Sequence, residues 1–291
     1  MTAKSTRQKT KDTAPTDGAH RALAHDRPLD ESRKSSHTIL EQLVQTAEEE
    51  LRWPAPAILL SGLAAGLDIG WGPFAMAVNL TLTEGVLSRP VQALLTASFY
   101  AIGFVFVVLG RSIMFTEQTT SAVLPVLVRR ASIVQLLRLW VLVLAANVVG
   151  GALFAAAAVV MGPALGVVEP SAFGELARPL VDQSIPVMVL SAVAAGWLMG
   201  LLVWLSTAAR ETTSQIIVIW LVALVIGLGK LHHSVAGSIE VLMGVFAGQG
   251  AIGSDFGRFM LWVPLGNIIG GVLFVALLKF GSVQQSVEKP A

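Results

Sequence analysis

The sequence predicts an all-α integral membrane protein in which six membrane-spanning helices form two inverted three-helix repeats. Hydrophobic residues make up 54% of its 291 positions and charged residues only 13%, whereas a soluble domain needs a more polar surface. Six apolar segments are long enough to cross a bilayer, and polar residues interrupt the second and fifth of them. Matching short motifs also recur in the two halves of the chain.

The chain divides into four predicted parts. Residues 1–37 are polar and basic, which predicts a disordered cytoplasmic tail or, alternatively, an arm that binds anionic lipid or a partner. Residues 38–52 place Ile39, Leu43 and Leu51 on one face opposite several acids, as in an amphipathic helix at the membrane surface. Residues 53–280 form the six-span domain, and residues 281–291 form a C-terminal cytoplasmic tail.

The six predicted spans cover residues 55–82, 91–125, 135–161, 187–207, 215–247 and 258–279. We expect breaks at 115–121 in the second span and at 231–238 in the fifth, where polar residues interrupt the apolar run. The loop between the second and third spans carries Arg129, Arg130 and Arg138 without an acid. By the positive-inside rule this loop is cytoplasmic, which predicts a multi-pass inner (plasma) membrane protein with both termini in the cytoplasm.

Two pairs of motifs define the repeats, which cover about residues 53–161 and about residues 187–280. Residues 60–66 (LSGLAAG) resemble 190–196 (LSAVAAG), and residues 147–154 (NVVGGALF) resemble 267–274 (NIIGGVLF). Because each half has three spans, an odd number, the halves insert with opposite orientation. Inverted repeats with paired broken helices place a solute site near the middle of the membrane.

The main candidates for site residues lie in the two breaks. Histidines are costly in hydrocarbon, so we expect His233 and His232 to face a path for solute; the structural alternative is a histidine that caps the broken helix. Thr116 in the other break is suited to hydrogen-bond a histidine across the two-fold axis, or to satisfy freed backbone groups. Phe115 beside it either forms an apolar constriction or only packs.

The charged residues that fall in the interior of the predicted spans, away from their ends, are Asp68, Arg111, Glu117, Lys230 and Glu240. The structural alternative for each is a satisfied ion pair or a vestibule position. Asp68 and Glu117 are the most informative of them. An acid beside a solute path repels anions unless it is protonated or paired.

The sequence carries no enzyme signature. It contains no Walker-type glycine loop and no His-Glu-x-x-His motif, and the adjacent histidines lack the further ligands of a zinc site. We therefore predict no enzyme activity, catalytic residue, cofactor or metal. The formal net charge of +1 points to no partner class; the predicted partners are the lipid bilayer and a small-molecule or ion solute, and no nucleic acid.

These features resemble the formate/nitrite transporter family over about residues 53–280. The resemblance rests on Phe115-Thr116, on residues 233–236 (HSVA), on Trp204 and on residues 266–271 (GNIIGG). It implies an aquaporin-like fold, assembled as a homo-pentamer with a pore in each protomer. It also implies the residue roles: a central pore histidine (His233), its partner (Thr116), a constriction residue (Phe115) and a second polar lining residue (Asn267). From the residues alone, Asn147 and Asn267 each precede a Gly-Gly pair, and we expect them to pack or hydrogen-bond the third helix of each half.

Several positions depart from the family pattern. His232 stands where the family commonly has Glu, and Gly237 stands where it commonly has Asn. The lysine that the family places ahead of the fourth span has no aligned counterpart. Glu117 follows the threonine, where an acid does not help an anion.

The expected function is a membrane channel or transporter for small monovalent weak-acid anions of the formate or nitrite type. Two alternatives stay open. The same fold could conduct a neutral solute or a cation, as Asp68 and Glu117 suggest. The protein could also be a non-transporting scaffold or sensor that acts through its long N-terminal tail.

Overall fold

The computed structural model describes residues 33–287, so nearly all of the predicted tail at residues 1–37 lies outside the described residues. The helices belong to one compact unit that begins at Ser35. They are α1 (Ser36–Leu51), α2 (Ala55–Ile69), α3 (Trp71–Thr83), α4 (Arg89–Gly110), α5 (Phe115–Ser121), α6 (Val123–Leu127), α7 (Ile133–Ala164), α8 (Pro170–Val181), α9 (Ile185–Ala208), α10 (Thr212–Leu228), α11 (Ala236–Phe246), α12 (Gly253–Gly271) and α13 (Leu278–Val287), with a π-helical turn at Val272–Leu277.

The predicted all-α membrane fold is confirmed. Five helical segments are long and apolar enough to cross a membrane: Ala55–Thr83, Arg89–Gly110, Ile133–Ala164, Ile185–Ala208 and Gly253–Gln285. The fifth predicted span consists of two shorter apolar helices, α10 and α11. The last helix runs to Val287, past the predicted end of the six-span domain at residue 280.

Both broken spans end their first segment with the same hydrogen-bond pattern. The N–H groups of Arg111 and Ser112 donate to the carbonyls of Val108 (3.3 Å) and Val107 (3.1 Å). Lys230 and Leu231 make the matching bonds to Gly227 (3.1 Å) and Ile226 (3.0 Å). This is a Schellman motif, which needs a left-handed residue after the helix. Arg111 (φ 57°) and Lys230 (φ 47°) hold that conformation.

The break in the second span therefore lies at residues 111–114, and the predicted position at 115–121 was wrong. Residues Phe115–Ser121 form the short helix α5. Two of the polar side chains that indicated a break are satisfied inside this helix: Thr119 Oγ1 donates to the Thr116 carbonyl (2.8 Å), and Ser121 Oγ donates to the Glu117 carbonyl (3.1 Å). The second break spans residues 229–235, close to its predicted place.

Helix α8, between the third and fourth spans, was not predicted. It buries Phe173, Leu176, Ala177 and Leu180 on one face. Prolines at both of its ends and its polar residues made this stretch resemble a loop. At the other surface, α1 buries one apolar face, which includes Leu43 and Leu51.

The recurring motifs pack against each other within each half. A Cβ added at Gly66 in α2 would overlap the carbonyl oxygen of Asn147 in α7. A Cβ added at Gly196 in α9 would overlap the carbonyl oxygen of Asn267 in α12 in the same way. Only glycine permits this close approach of two helix backbones. The same contact in both halves supports the inverted-repeat arrangement and sets each asparagine beside its break.

Candidate functional site

The two breaks meet at a single side-chain hydrogen bond. Thr116 Oγ1, from the first half, lies 2.8 Å from His233 Nε2, from the second half. Both residues are 0% exposed. The structure therefore brings together the two residues that sequence reasoning placed opposite one another, at a point closed to solvent.

His233 also caps the helix that follows it. The N–H of Ala236 donates to His233 Nδ1 (3.1 Å), and the N–H of Gly237 donates to the His233 carbonyl (2.9 Å). A ring nitrogen that faces a backbone N–H must be an acceptor, so these partners assign the imidazole proton to Nε2. Nε2–H then donates to Thr116 Oγ1, which leaves the Thr116 hydroxyl hydrogen available to another acceptor.

Asn267 braces the second break. Its Oδ1 accepts from the N–H of Ser234 (2.8 Å), and its Nδ2 donates to the carbonyls of Ala192 (2.7 Å) and His232 (3.0 Å). Asn147 makes the matching set in the first half, with Phe115 N–H (2.8 Å) and the carbonyls of Gly62 (2.8 Å) and Ile113 (3.0 Å). The Asn267 amide therefore holds backbone in place, which differs from the pore-lining role that the resemblance implies.

His232 is likewise tied to the protein by all its polar side-chain atoms. Its Nδ1 lies 2.9 Å from Ser191 Oγ and its Nε2 lies 3.0 Å from the Leu180 carbonyl. Since a carbonyl only accepts, Nε2 carries the proton and Nδ1 accepts from the serine hydroxyl. The ring also lies nearly parallel to Phe259, with the centroids 6.0 Å apart. His232 thus links α8, α9 and α12, and its side chain offers no free donor to a solute.

Aromatic rings close one side of the Thr116–His233 pair. The ring centroids of Tyr100 and Phe104 lie 5.0 Å apart, and those of Phe104 and His233 lie 5.1 Å apart. Sequence reasoning missed this series, although Tyr100 and Phe104 are four residues apart on one helix and so share a face. Phe115 packs elsewhere, edge-on to Trp140 at 6.4 Å, and is also buried.

Beyond Tyr100 lies a cavity of about 710 Å³. It opens at the end of α3, which is the opposite end of the first span from α1. Its charged lining residues are Glu84, Arg89, Glu175, Lys230 and Glu240. None of the ion pairs found within residues 33–287 involves these five residues. Glu240 is the most buried of them, and sequence reasoning had given more weight to Asp68 and Glu117 than to this residue.

The other two predicted acids lie at different places. Asp68 Oδ2 accepts from Ser112 Oγ (3.1 Å), so it is tied to the first break. Glu117 is half-buried on α5, directly after Thr116. Its neighbour Gln118 donates through Nε2 to Glu50 Oε2 on α1 (2.9 Å). Helix α1 is thereby joined to the short helix that carries the threonine, a contact that the sequence did not indicate.

Glu50 lies outside the spans, and burial raises its pKa to about 7. The hydrogen bond from Gln118 opposes this rise in pKa, and the charge of Glu49 adds to it. Near neutral pH, Glu50 is thus divided between its charged and neutral forms. Among the described residues, no three potential metal ligands are grouped together.

Comparison with known proteins agrees with this architecture. The family model described as "Formate/nitrite transporter" matches residues 37–281. The "Inner membrane protein YfdC" of Escherichia coli (strain K12) is 34% identical over 264 residues, which cover 89% of this chain and 83% of that protein.

Two solved structures share the fold. One, described as "FNT family ion channel", has a TM-score of 0.75 and 22% identity, and the match covers 84% of this chain and 98% of that one. The other, described as "Pentameric formate channel with formate bound", has a TM-score of 0.62 and 20% identity, and the match covers 79% and 98% of the two chains.

Proposed function

The chain belongs to the formate/nitrite transporter family, and from this premise we propose that it conducts a small monovalent weak-acid anion such as formate or nitrite. The observation that carries the proposal is the buried hydrogen bond between Thr116 Oγ1 and His233 Nε2. It joins the two halves at the point where the two broken helices meet, which is where inverted-repeat transporters bind solute.

The hydrogen-bond directions indicate how this pair handles an anion. His233 Nε2–H donates into the Thr116 oxygen, and the threonine hydroxyl donates to an oxygen of the solute. Hydrogen bonds in series strengthen one another in a low-dielectric interior, and a bond to a charged acceptor is stronger than a neutral one. Such a donor offsets part of the cost of bringing an anion past Phe104 and Tyr100.

The capping bond at Nδ1 refines the role of the histidine. While the N–H of Ala236 occupies Nδ1, the ring has no site for a second proton. We therefore assign His233 a neutral role, in which it orients and polarises Thr116. A proton supplied directly by an imidazolium does not fit this geometry.

We further propose that the protein lies in the inner membrane with α1 on the cytoplasmic side. Arg138 donates to the Trp53 carbonyl (3.2 Å), and Arg130 lies 3.8 Å from Glu48 of α1. The basic loop and α1 are thus on one side, which the positive-inside rule places in the cytoplasm. The cavity lined by Lys230 is then the outer vestibule. Five subunits are proposed from the likeness to the pentameric formate channel.

The proposal is tested by formate and nitrite uptake into proteoliposomes. Thr116→Val removes the hydroxyl while keeping the side-chain volume, and it leaves the histidine cap in place. We expect both anion fluxes to fall at least tenfold. Ser206→Ala is a matched control, because its buried hydroxyl bonds only within its own helix (Ser206 Oγ to the Leu202 carbonyl, 2.6 Å). Equal anion flux in wild type and Thr116→Val would contradict the proposal.

A second candidate is a neutral solute or a cation, and the positions of two acids favour it. Glu117 follows Thr116 on one side of the pair, and Glu240 lines the cavity on the other side. The same proteoliposomes would distinguish the candidates. Uptake of methylammonium or of uncharged glycerol without formate uptake would favour the second candidate.

A further inference from the structure

Within residues 33–287, Ser234 Oγ is the one buried side-chain nitrogen or oxygen without a hydrogen-bond partner. The residue is 0% exposed. A buried hydroxyl left without a partner costs about 1–3 kcal/mol, and such a group in a native protein calls for an explanation. Ser234 directly follows His233, the histidine of the central pair, in the chain.

The backbone of Ser234 does not need this hydroxyl. Its N–H is fixed by Asn267 Oδ1 at 2.8 Å. At the equivalent position of the first half, the N–H of Phe115 is fixed by Asn147 Oδ1, also at 2.8 Å. A side chain without a hydroxyl is therefore compatible with this backbone contact. The Ser234 hydroxyl is not needed to form the break.

The surroundings of the hydroxyl favour a negative ligand. Ser234 lies two residues before the first residue of the 11-residue helix α11, between His233, whose ring accepts from the Ala236 N–H, and the N-cap residue Val235. The N-terminal end of a helix carries partial positive charge and is a frequent site of anion binding. Asn267 and His233 already occupy the N–H groups of Ser234 and Ala236. Among the buried side-chain donors at this helix end, the Ser234 hydroxyl is the one without a partner.

We propose that Ser234 Oγ–H is a second hydrogen-bond donor to the transported anion, and that it acts together with the Thr116 hydroxyl. A carboxylate or nitrite has two acceptor oxygens, so the two hydroxyls would bind one oxygen each. The inference rests on the proposed function, and it identifies Ser234 as a binding residue of the central site.

The test compares Ser234→Ala with Ser238→Ala. Ser238 is equally buried on the same helix, but its hydroxyl already donates to the Val235 carbonyl (2.6 Å). In proteoliposomes, we expect Ser234→Ala to raise the half-saturating concentration of formate about tenfold, as for one lost hydrogen bond to a charged group. We expect Ser238→Ala to leave that concentration within about twofold of wild type.

A second readout separates binding from folding. Sodium formate should raise the melting temperature of detergent-solubilised wild type and Ser238→Ala, and it should raise that of Ser234→Ala much less. Without formate, Ser234→Ala should melt no lower than wild type, because the substitution removes an unpartnered group. A lower melting temperature would show that the hydroxyl has a structural partner such as a buried water, and would overturn the inference.

The outcomes also separate this inference from the proposed function. If wild type transports formate and Ser234→Ala has an unchanged half-saturating concentration, the inference is wrong and the function stands. If wild type transports neither formate nor nitrite, the proposed function is wrong, and the inference that rests on it is wrong as well.

Discussion

Thr116 Oγ1 and His233 Nε2 lie 2.8 Å apart, although 117 positions separate the two residues in the chain. The bond is possible because each residue lies next to the break of its own half and the halves are inverted. It is also directional. The cap at Nδ1 makes Nε2 the donor, so the threonine oxygen accepts and its hydrogen remains available.

The need for the Thr116 hydroxyl in this bond can be tested by substituting the threonine. Thr116→Ser keeps the hydroxyl, and we expect it to retain most of the wild-type formate flux. Thr116→Val loses the hydroxyl and leaves the buried Nε2–H of His233 without an acceptor, at a cost of about 1–3 kcal/mol. We therefore expect Thr116→Val to lower both flux and melting temperature. Similar flux and melting temperature in the two variants would show that the hydroxyl at this position does not matter.

The capping role of His233 predicts an unequal effect of two substitutions on stability. Asparagine is a favoured helix cap because its oxygen accepts from the first-turn N–H groups, whereas replacing a cap by alanine costs about 0.5–2 kcal/mol. We expect His233→Asn to melt several degrees higher than His233→Ala in the same detergent. The opposite order would contradict the bond from Ala236 N–H to Nδ1.

The tautomer itself can be measured in the unsubstituted protein. With ¹⁵N-labelled histidine at pH 7.5, we expect the His233 signals to show protonated Nε2 and unprotonated Nδ1. His233→Asn identifies the signals by their loss. A protonated Nδ1 would mean that the cap is open and that the ring donates from both sides.

Sequence patterns were sufficient for the spans, the repeats and the Thr116–His233 pair. Composition sets the number of apolar segments, and inversion of the repeats brings the two breaks together. Sequence patterns were not sufficient to predict the position of the first break. The left-handed residue of a Schellman motif is usually glycine, but Arg111 holds it here, one position after Gly110. The residue type therefore gave no signal.

The roles of Asn267 and His232 show a different limit. The structural role of His232 depends on its hydrogen bonds to Ser191 and to the Leu180 carbonyl. These partners are distant in sequence and come close to His232 only when the helices pack. For Asn267, a usable signal was present. The same asparagine recurs at Asn147 although only one half carries histidines in its break. A residue shared by both halves is more consistent with a structural role than with a solute contact made once.

The asparagine braces predict a large loss of stability on substitution. Asn267→Ala would leave the Ser234 N–H and two carbonyls without their present partner, and each buried unpaired group costs about 1–3 kcal/mol. We expect a strongly lowered melting temperature and a dissociated or aggregated profile in size-exclusion chromatography. Asn147→Ala should behave in the same way, since its bonds match. A variant of Asn267 that is stable but altered in solute selectivity would favour the pore-lining role instead.

Glu50 predicts a pH-dependent attachment of α1. Its pKa rises from 4.5 to about 7 in the folded protein, chiefly because of burial. A raised carboxyl pKa means that the folded state holds the proton more tightly than the unfolded state. The associated stability is complete below about pH 4.5 and is lost as pH rises through about 7. Helix α1 should therefore be bound less firmly at pH 8 than at pH 5.5.

Hydrogen exchange of the α1 amides, corrected for the intrinsic effect of pH, measures this difference. Glu50→Gln should abolish most of the pH dependence, because a glutamine can still accept the bond from Gln118 Nε2 but carries no charge. Glu41→Gln is the matched control, since Glu41 is on the same helix but exposed. We expect it to keep the wild-type dependence. Protection of α1 that is equal at the two pH values in wild type would show that Glu50 does not control how firmly α1 is held, and that its bond to Gln118 is equally strong in both charge states.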